Sequence, residues 1–182
     1  MKKIFIIIVV LFSSLLSQAQ FSSATLGAAG LTCAMCTKAI NNSLEKIPGI
    51  QSVEADIKNS AFVIQFKTGA DIDPDALKAA VAGAGFSVAS LKLTGNFEQV
   101  QVANDTHILF GGRTYHFLQV DKKTLNGTNT LTVVDKGYTS PKTFKKYAGS
   151  TTMACVHTGK EDECCKKAGV HALQNRIYHV TI

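Results

Sequence analysis

The sequence predicts an α+β protein that is built from two small domains. The chain has 182 residues, of which 46% are hydrophobic, so it can bury a core and is too short for more than about two small domains. Strand-like and helix-like hydrophobic periods alternate between residues 20 and 96. Beyond residue 97, short runs rich in Thr, Val, Tyr and Phe are separated by glycine-containing turns, which predicts a second, mainly β part.

Residues 1–19 are predicted to be a secretory signal peptide rather than part of the fold. Lys2 and Lys3 precede an apolar run over residues 4–12, and small residues lead to Ala19. A basic start, a short apolar stretch and a Ser-x-Ala end are typical of a cleaved signal. The apolar run is shorter than the roughly 20 residues of a membrane span, which disfavours an uncleaved anchor. We therefore expect an exported protein, periplasmic or secreted, with no membrane attachment after cleavage.

The mature chain is mildly basic, because removing residues 1–19 lowers the net charge from +6 to +4. The lysines are scattered rather than clustered among aromatic residues, and the chain is expected to be exported, so nucleic acid is not an expected partner. The sequence shows no Ser-His-Asp order, Gly-rich phosphate loop or paired carboxylates, so an enzyme is not indicated.

The first predicted domain, residues 20–96, begins with a strand and a helix. Residues 23–27 are predicted to form an edge or opening strand, which the small residues after it end. The Pro-Gly pair at 48–49 ends the following helix. Apolar residues recur on one face of this helix every three or four positions, at Cys36, Ile40, Leu44 and Ile47.

A hairpin, a second helix and a last strand complete this domain. Val53, Ala55 and Ile57 alternate with polar residues, and Phe62, Ile64 and Phe66 alternate with Val63 and Gln65, which predicts two strands joined by a turn. Asp73 as the N-cap and Pro74 at the first helical position predict the second helix. Residues 86–93 are predicted to form the last strand. The resulting order is a split βαβ pattern (βαββαβ), a ferredoxin-like arrangement in which two helices cover one face of a four-stranded antiparallel sheet.

Cys33 and Cys36 carry the strongest chemical signal in the sequence. They are predicted to lie where the loop after the first strand meets the first turn of the helix. Exposed backbone N–H groups and the positive end of the helix dipole favour thiolates there. Two thiolates with this spacing can converge on one ion. Such a soft, low-coordinate pair suits Cu(I), whereas Zn(II) would take two more ligands.

Several motifs of the first domain resemble the heavy-metal-associated domain family. They are Gly-Leu-Thr-Cys-x-x-Cys at 30–36, Leu-Glu-Lys-Ile-Pro-Gly-Ile at 44–50, the strand at 53–57 and Ala-Gly-Ala-Gly-Phe at 82–86. The resemblance covers residues 22–95. This family includes small copper chaperones, the N-terminal domains of copper-exporting ATPases and periplasmic mercury-binding proteins.

The resemblance implies that Cys33 and Cys36 bind Cu(I), with Hg(II) or Zn(II) as alternatives, and that the partner is a protein that donates or accepts the metal. Leu31 replaces the family's usual Met under the metal loop. Cys33 is not preceded by the Asp that tends to accompany zinc-type members. Phe86 falls where family members often carry an aromatic residue or a Lys near the metal. Met35 is expected to pack on the exposed apex or on a partner rather than to bind the ion.

Two other roles for Cys33 and Cys36 compete with metal buffering, trafficking or hand-over. A thiol–disulfide oxidoreductase or redox sensor would also place C-x-x-C at a helix start, with Cys33 attacking and Cys36 resolving. However, the chain has no Trp, and its three prolines are assigned to a helix end, a helix start and a turn. The last alternative is a plain structural disulfide, which an exported protein permits.

The second predicted domain, residues 97–182, is expected to be a small, mainly antiparallel β fold, either an OB-like barrel or a sandwich. Turns are predicted at Gly111-Gly112 and Asn126-Gly127, and a short helix after Pro141. Five runs have strand character, at 100–103, 107–110, 113–120, 131–134 and 176–182.

The chemistry of this second domain is concentrated in Cys155, His157, Cys164 and Cys165. Cys155 and His157 would lie on the same side of an extended segment and could join Cys164 or Cys165 and His171 in a second metal site. The spacing matches no standard zinc or iron pattern. Because an exported protein permits disulfides, the favoured interpretation is a disulfide from Cys155 to Cys164 or Cys165.

Three further histidines, His107, His116 and His179, lie inside predicted strands. In that position a hydrogen-bonded or surface histidine is more common than a metal ligand. The sequence therefore predicts no functional role for them.

Overall fold

The computed structural model describes residues 20–31, 33–163, 165 and 176–182, and the predicted signal peptide lies outside the described residues. No helix in these ranges is long and apolar enough to cross a membrane. The elements in chain order are β1 (Phe21–Ala29), α1 (Ala34–Glu45), β2 (Ile50–Asp56), β3 (Ala61–Phe66), α2 (Pro74–Gly83), β4 (Ser87–Val102), β5 (His107–Phe110), β6 (Arg113–Phe117), β7 (Lys123–Val133), α3 (Pro141–Ala148), α4 (Cys155–Thr158) and β8 (Ile177–Thr181).

Strands β1 to β4 and helices α1 and α2 form the predicted βαββαβ unit. The four strands are arranged in the order β2-β3-β1-β4, and each neighbouring pair is antiparallel. The α+β class and the ferredoxin-like arrangement of this part are therefore confirmed. Its core combines one face of the sheet with the apolar faces of both helices, through Leu26, Phe62, Ile64, Leu91, Ile40, Leu44, Leu77 and Val81.

Local sequence signals explain where the helices of this unit end and begin. Asp73 caps α2, because its carboxylate accepts a hydrogen bond from the backbone N–H of Asp75 at 2.9 Å, and Pro74 follows at the first helical position. After α1 the chain turns at Gly49, which has a φ of +90°. A Cβ at this position would lie 2.8 Å from the Cβ of Ala70, so the turn requires glycine.

The strands of the C-terminal part extend the same sheet. Its full order is β2-β3-β1-β4-β7-β8-β6-β5, with β6 and β8 parallel and the other pairs antiparallel. This part is mainly β, as predicted, but the predicted OB-like barrel or sandwich is wrong. The reason is that the 16-residue strand β4 pairs with β1 along one edge and with β7 along the other, so the new strands add to an existing sheet edge.

The predicted turn at Asn126-Gly127 is also wrong, because both residues lie within β7. Gly127 has a φ of +68° and pairs with Phe97 at the point where the register of β4 and β7 shifts. Within this shift, on β4, Gln99 has a φ of +53°. The turn-forming residues therefore mark a β-bulge rather than a hairpin.

The predicted boundary near residue 96 falls inside β4 rather than in a linker. Phe97 is fully buried in a core that contains residues from both parts of the chain. Its ring stacks on that of Phe110 with 4.3 Å between centroids, and the ring of Phe21 contacts Phe110 at 4.7 Å and Tyr115 at 5.4 Å. Strands β5 and β6 thus lie against the start of β1. The division into residues 20–96 and 97–182 stays a prediction.

Polar contacts also join the C-terminal part to the N-terminal end of α2. Asp75 accepts hydrogen bonds from the hydroxyl of Tyr138 at 2.5 Å and from Nε of Arg176 at 2.9 Å. Asp73 accepts one from the hydroxyl of Tyr178 at 2.5 Å. Burial raises the pKa of Asp75, but the hydrogen bonds from Arg176 and Tyr138 and the charge of Arg176 more than offset this effect. They hold the pKa of Asp75 well below its usual 3.8. Asp75 is therefore a carboxylate at neutral pH.

Candidate metal centre

The structure places Cys33 and Cys36 at the N-terminal end of α1. Cys33 is the N-cap residue, and its Sγ accepts a hydrogen bond from the backbone N–H of Cys36 at 3.2 Å. Cys33 is exposed and Cys36 is half-buried. Their Cα atoms are 5.3 Å apart, and the two sulfurs are joined in a disulfide. The backbone thus already holds both sulfurs at one point on the surface, where a reduced pair could converge on one ion.

The surroundings of Cys33 and Cys36 are apolar and exposed. Met35, between them, is 75% exposed, and Ile57, just after β2, is 78% exposed. The first turn of α1 carries no acidic residue, so the positive end of the helix is not neutralised by its own first turn. A surface pocket of about 190 Å³ beside the pair is lined by Leu31, Cys33, Ala34, Thr37, Ala55, Asp56, Ile57, Ser60 and Ala61.

Leu31 and Phe86, the other two positions that the resemblance singles out, are both half-buried. Their side chains pack against the main hydrophobic core. Leu31 also lines the pocket beside Cys33. These contacts assign a packing role to both residues.

The second predicted cluster is only partly brought together. Cys155 and Cys165 are fully buried and share a small core with Ile177, against which Met153 packs. His157 is exposed, and its ring lies near that of Phe144 with 6.2 Å between centroids. The prediction that Cys155 and His157 share one side is wrong, because this segment is the short helix α4, where residues two apart do not share a face.

Cys164 and His171, the remaining members of the predicted cluster, lie outside the described residues. The pairing of Cys155 with Cys164 or Cys165 therefore stays a prediction.

Cys155 lies instead beside two histidines for which the sequence predicts no role. His107 in β5 pairs with His116 in β6, and their rings stack with 4.1 Å between centroids. Sγ of Cys155 is 3.5 Å from Nδ1 of His116. One potential ligand atom from each of the three residues lies within 4.8 Å of the other two. The two-residue turn at Gly111-Gly112 could have predicted the pairing of the histidines, whereas Cys155 is too distant in sequence to be placed.

Carboxylates orient two of the buried imidazoles. Oδ1 of Asp105 is 3.0 Å from Nε2 of His116, and Oδ1 of Asp135 is 2.6 Å from Nδ1 of His179. The rings of His116 and His179 are 5.0 Å apart. Burial, together with the neighbouring imidazoles, lowers the pKa of His116 to about 4, and burial lowers that of His107. The rings of His116 and His107 are therefore neutral at neutral pH, and each keeps a lone pair for a ligand.

Comparison with known proteins identifies the N-terminal part. Residues 25–87 match the family model described as "Heavy-metal-associated domain". A mercuric reductase of Shigella flexneri is 39% identical over 62 residues, which are 34% of this chain and 11% of that protein. Copper-transporting ATPase 1 of Rhizobium meliloti (strain 1021) is 30% identical over 69 residues, 38% of this chain and 8% of that protein. The chain thus spans only about a tenth of the length of these relatives.

Two solved structures are also similar to this part. The CopZ metallochaperone is 24% identical with a TM-score of 0.35, covering 37% of this chain and 100% of its own. The apo-CopP protein from Helicobacter pylori is 25% identical with a TM-score of 0.33, covering 37% of this chain and 98% of its own.

The split βαβ fold carries a Cys-x-x-Cys pair at the start of its first helix. On the family match, residues 25–87 of this chain are a heavy-metal-associated domain. The match ends at the first residue of β4, so it includes none of the strands and helices of the C-terminal part.

Proposed function

We propose that this chain is an exported metal-binding protein that holds one Cu(I) ion between Cys33 and Cys36 for buffering, trafficking or hand-over to another protein. The observation that carries the proposal is the cysteine pair at the exposed start of α1, inside a heavy-metal-associated domain. Two thiolates satisfy Cu(I) or Hg(II), whereas Zn(II) usually takes four ligands. The low coordination number thus favours these two ions over Zn(II). The names of the copper-transporting and mercuric relatives are consistent with either ion, and Cu(I) is the one proposed.

The exposure of the site supports hand-over to a protein. Transfer requires the thiolates of donor and acceptor to share the ion for a moment, so the pair has to be reachable from outside. Cys33 is exposed, and the neighbouring side chains of Met35 and Ile57 present apolar surface that a partner could cover. Export rests on the predicted signal peptide at residues 1–19, which would place the hand-over in a periplasm or outside the cell.

Metal binding uses the reduced form of the pair, because a disulfide offers no thiolate. The disulfide between Cys33 and Cys36 also supports a second candidate function, thiol–disulfide exchange by the same residues. In that reaction the Cys33 thiolate attacks a substrate disulfide, and Cys36 then releases the reduced substrate while the internal disulfide forms. The mercuric reductase is an enzyme by name, but this chain spans only 11% of it. The match therefore gives no support for the exchange reaction.

X-ray absorption of the protein loaded with one equivalent of Cu(I) tests the first candidate, and turnover of a small disulfide in the presence of dithiothreitol tests the second. We expect a copper shell of sulfur atoms only, and no turnover above that of Cys36→Ser. A shell that contains nitrogen would contradict the assignment of the first equivalent to Cys33 and Cys36. Turnover that Cys36→Ser abolishes would establish the exchange reaction instead. Met35→Leu is the matched control, since the thioether is not expected to bind the ion.

A further inference from the structure

The cluster of His107, His116 and Cys155 lies in the C-terminal part of the chain, outside the heavy-metal-associated match. We propose that, when Cys155 is reduced, these three residues form a second metal site, with two imidazole ligands and one thiolate ligand, for a borderline or soft transition-metal ion, Zn(II) or Cu(I). The site is thus an alternative to the predicted disulfide of Cys155. This combination of ligands suits both ions. The site uses no residue of the Cys33–Cys36 pair.

The spacing of the ligand atoms is close to that of a bound state. Metal bonds of about 2.0–2.3 Å place neighbouring ligand atoms roughly 3.3–4 Å apart in tetrahedral or trigonal coordination. Sγ of Cys155 and Nδ1 of His116 are already 3.5 Å apart, and all three ligand atoms fall within 4.8 Å of one another. Rotation of these side chains could therefore close the site around an ion.

The orientation of His116 is that of a metal ligand. Its Nε2 lies 3.0 Å from the carboxylate of Asp105, which leaves Nδ1 facing Cys155. Histidines that bind metals usually donate the other ring N–H to a carboxylate or a backbone carbonyl, which fixes the ring and makes it more basic. Asp105 supplies this contact from the turn just before β5.

His107 supplies a second, independent observation. Its Nε2 is buried and has no hydrogen-bond partner among the described residues. A buried polar atom without a partner costs about 1–3 kcal/mol, so native proteins seldom leave one. A bound ion would satisfy this nitrogen. The ring is stacked on that of His116 with 4.1 Å between centroids, so rotation of the two rings out of the stack would let a nitrogen of each face the same ion.

His179 offers the same feature at the edge of the cluster. Asp135 holds its Nδ1, and its Nε2 is buried without a partner among the residues that the structure describes. The ring is 5.0 Å from that of His116. His179 is therefore a candidate fourth ligand, which Zn(II) would use more readily than Cu(I).

The test uses the reduced mature chain in a Cys33→Ser/Cys36→Ser background, so that failure of the first site has no effect on the outcome. Zn(II) and Cu(I) are titrated separately under anaerobic conditions against a competing chelator, and the loaded protein is examined by X-ray absorption. We expect one equivalent of at least one of the two ions, with a shell of nitrogen and one sulfur. The ion that binds more tightly identifies the metal.

Four variants in this background separate ligands from neighbours. His107→Gln and Cys155→Ser remove ligands and should weaken binding by more than tenfold. Asp105→Asn should weaken it about 10–100-fold, since it removes the carboxylate behind His116 and keeps a residue that tolerates the φ of +62° found there. His157→Gln is the matched control, because this exposed histidine is two residues from Cys155 and should leave binding unchanged.

Melting of each metal-free variant shows whether it is folded before its affinity is compared. Absence of binding of both ions to the folded background protein would overturn the proposal. So would a folded His107→Gln or Asp105→Asn variant that binds as tightly as the background protein, because the substituted residue could then not belong to the site.

Discussion

The hydroxyl of Tyr138 is expected to stabilise the heavy-metal-associated domain from the C-terminal part of the chain. It donates to Oδ1 of Asp75, in the first turn of α2, at 2.5 Å. Tyr138→Phe removes this hydrogen bond and keeps the ring, which is fully buried. If the two parts depend on each other as the shared sheet indicates, the substitution should lower the stability of the whole chain.

The expected loss of stability in Tyr138→Phe follows from the charge and the exposure of the acceptor, Asp75. A hydrogen bond to a charged group contributes about 1.5–3 kcal/mol to stability. The side chain of Asp75 is 37% exposed, so water can replace part of the lost contact, and the lower end of about 1.5 kcal/mol applies. For a chain of this size that loss corresponds to a fall of roughly 3–6 °C in Tm.

Thermal and urea unfolding measure the effect, and Asp75→Asn completes a double-mutant cycle with Tyr138→Phe. The cycle should give a coupling energy of about 1 kcal/mol between the two side chains. The matched control is Tyr147→Phe, because the hydroxyl of Tyr147 makes no hydrogen bond in the ranges that the structure covers, and its Tm should not change. A Tm for Tyr138→Phe equal to that of the control, or a coupling energy of zero, would refute the reasoning.

Three further predictions concern stability. Phe97→Ala should cost about 3–5 kcal/mol in denaturant unfolding, because it empties a fully buried position stacked on Phe110; a loss below 1 kcal/mol would contradict the shared core. Gly49→Ala should lower Tm, since the added Cβ would lie 2.8 Å from that of Ala70 at a φ of +90°, whereas an unchanged Tm would show that the turn adapts. The pKa of Asp75 in the folded protein is below 3.8, so the stability that its carboxylate contributes is complete above that pH and is lost as pH falls below it. The free energy of unfolding of Asp75→Asn should therefore depend less on pH in this range than that of the native protein. Identical pH profiles for the two proteins would contradict this.

The N-terminal fold could be predicted because its signals are local. The cap at Asp73, the turn at Gly49 and the alternation in β2 and β3 each depend on residues close in sequence. Cys33 and Cys36 are three positions apart, so their convergence at a helix start could also be predicted.

The C-terminal part could not be predicted in the same way, because its pairings are distant in sequence. β8 inserts between β7 and β6 and pairs with β6 in parallel, which no turn between them specifies. Asn126 and Gly127 have the composition of a hairpin turn, but the long strand β4 keeps them in a ladder with a bulge. The three-residue cluster likewise depends on Cys155 folding back onto the hairpin that carries His107 and His116.

The most direct test of the central claim is an anaerobic titration of reduced protein comprising residues 20–182 with Cu(I), against a competing chelator, beside the Cys33→Ser/Cys36→Ser variant. Parallel titrations with Hg(II) and Zn(II) identify the preferred ion. We predict that the native pair binds one tight Cu(I) equivalent more than the double variant does. Equal stoichiometry and affinity in the two proteins, or tight binding of Zn(II) alone, would contradict the assignment of a Cu(I) site to Cys33 and Cys36.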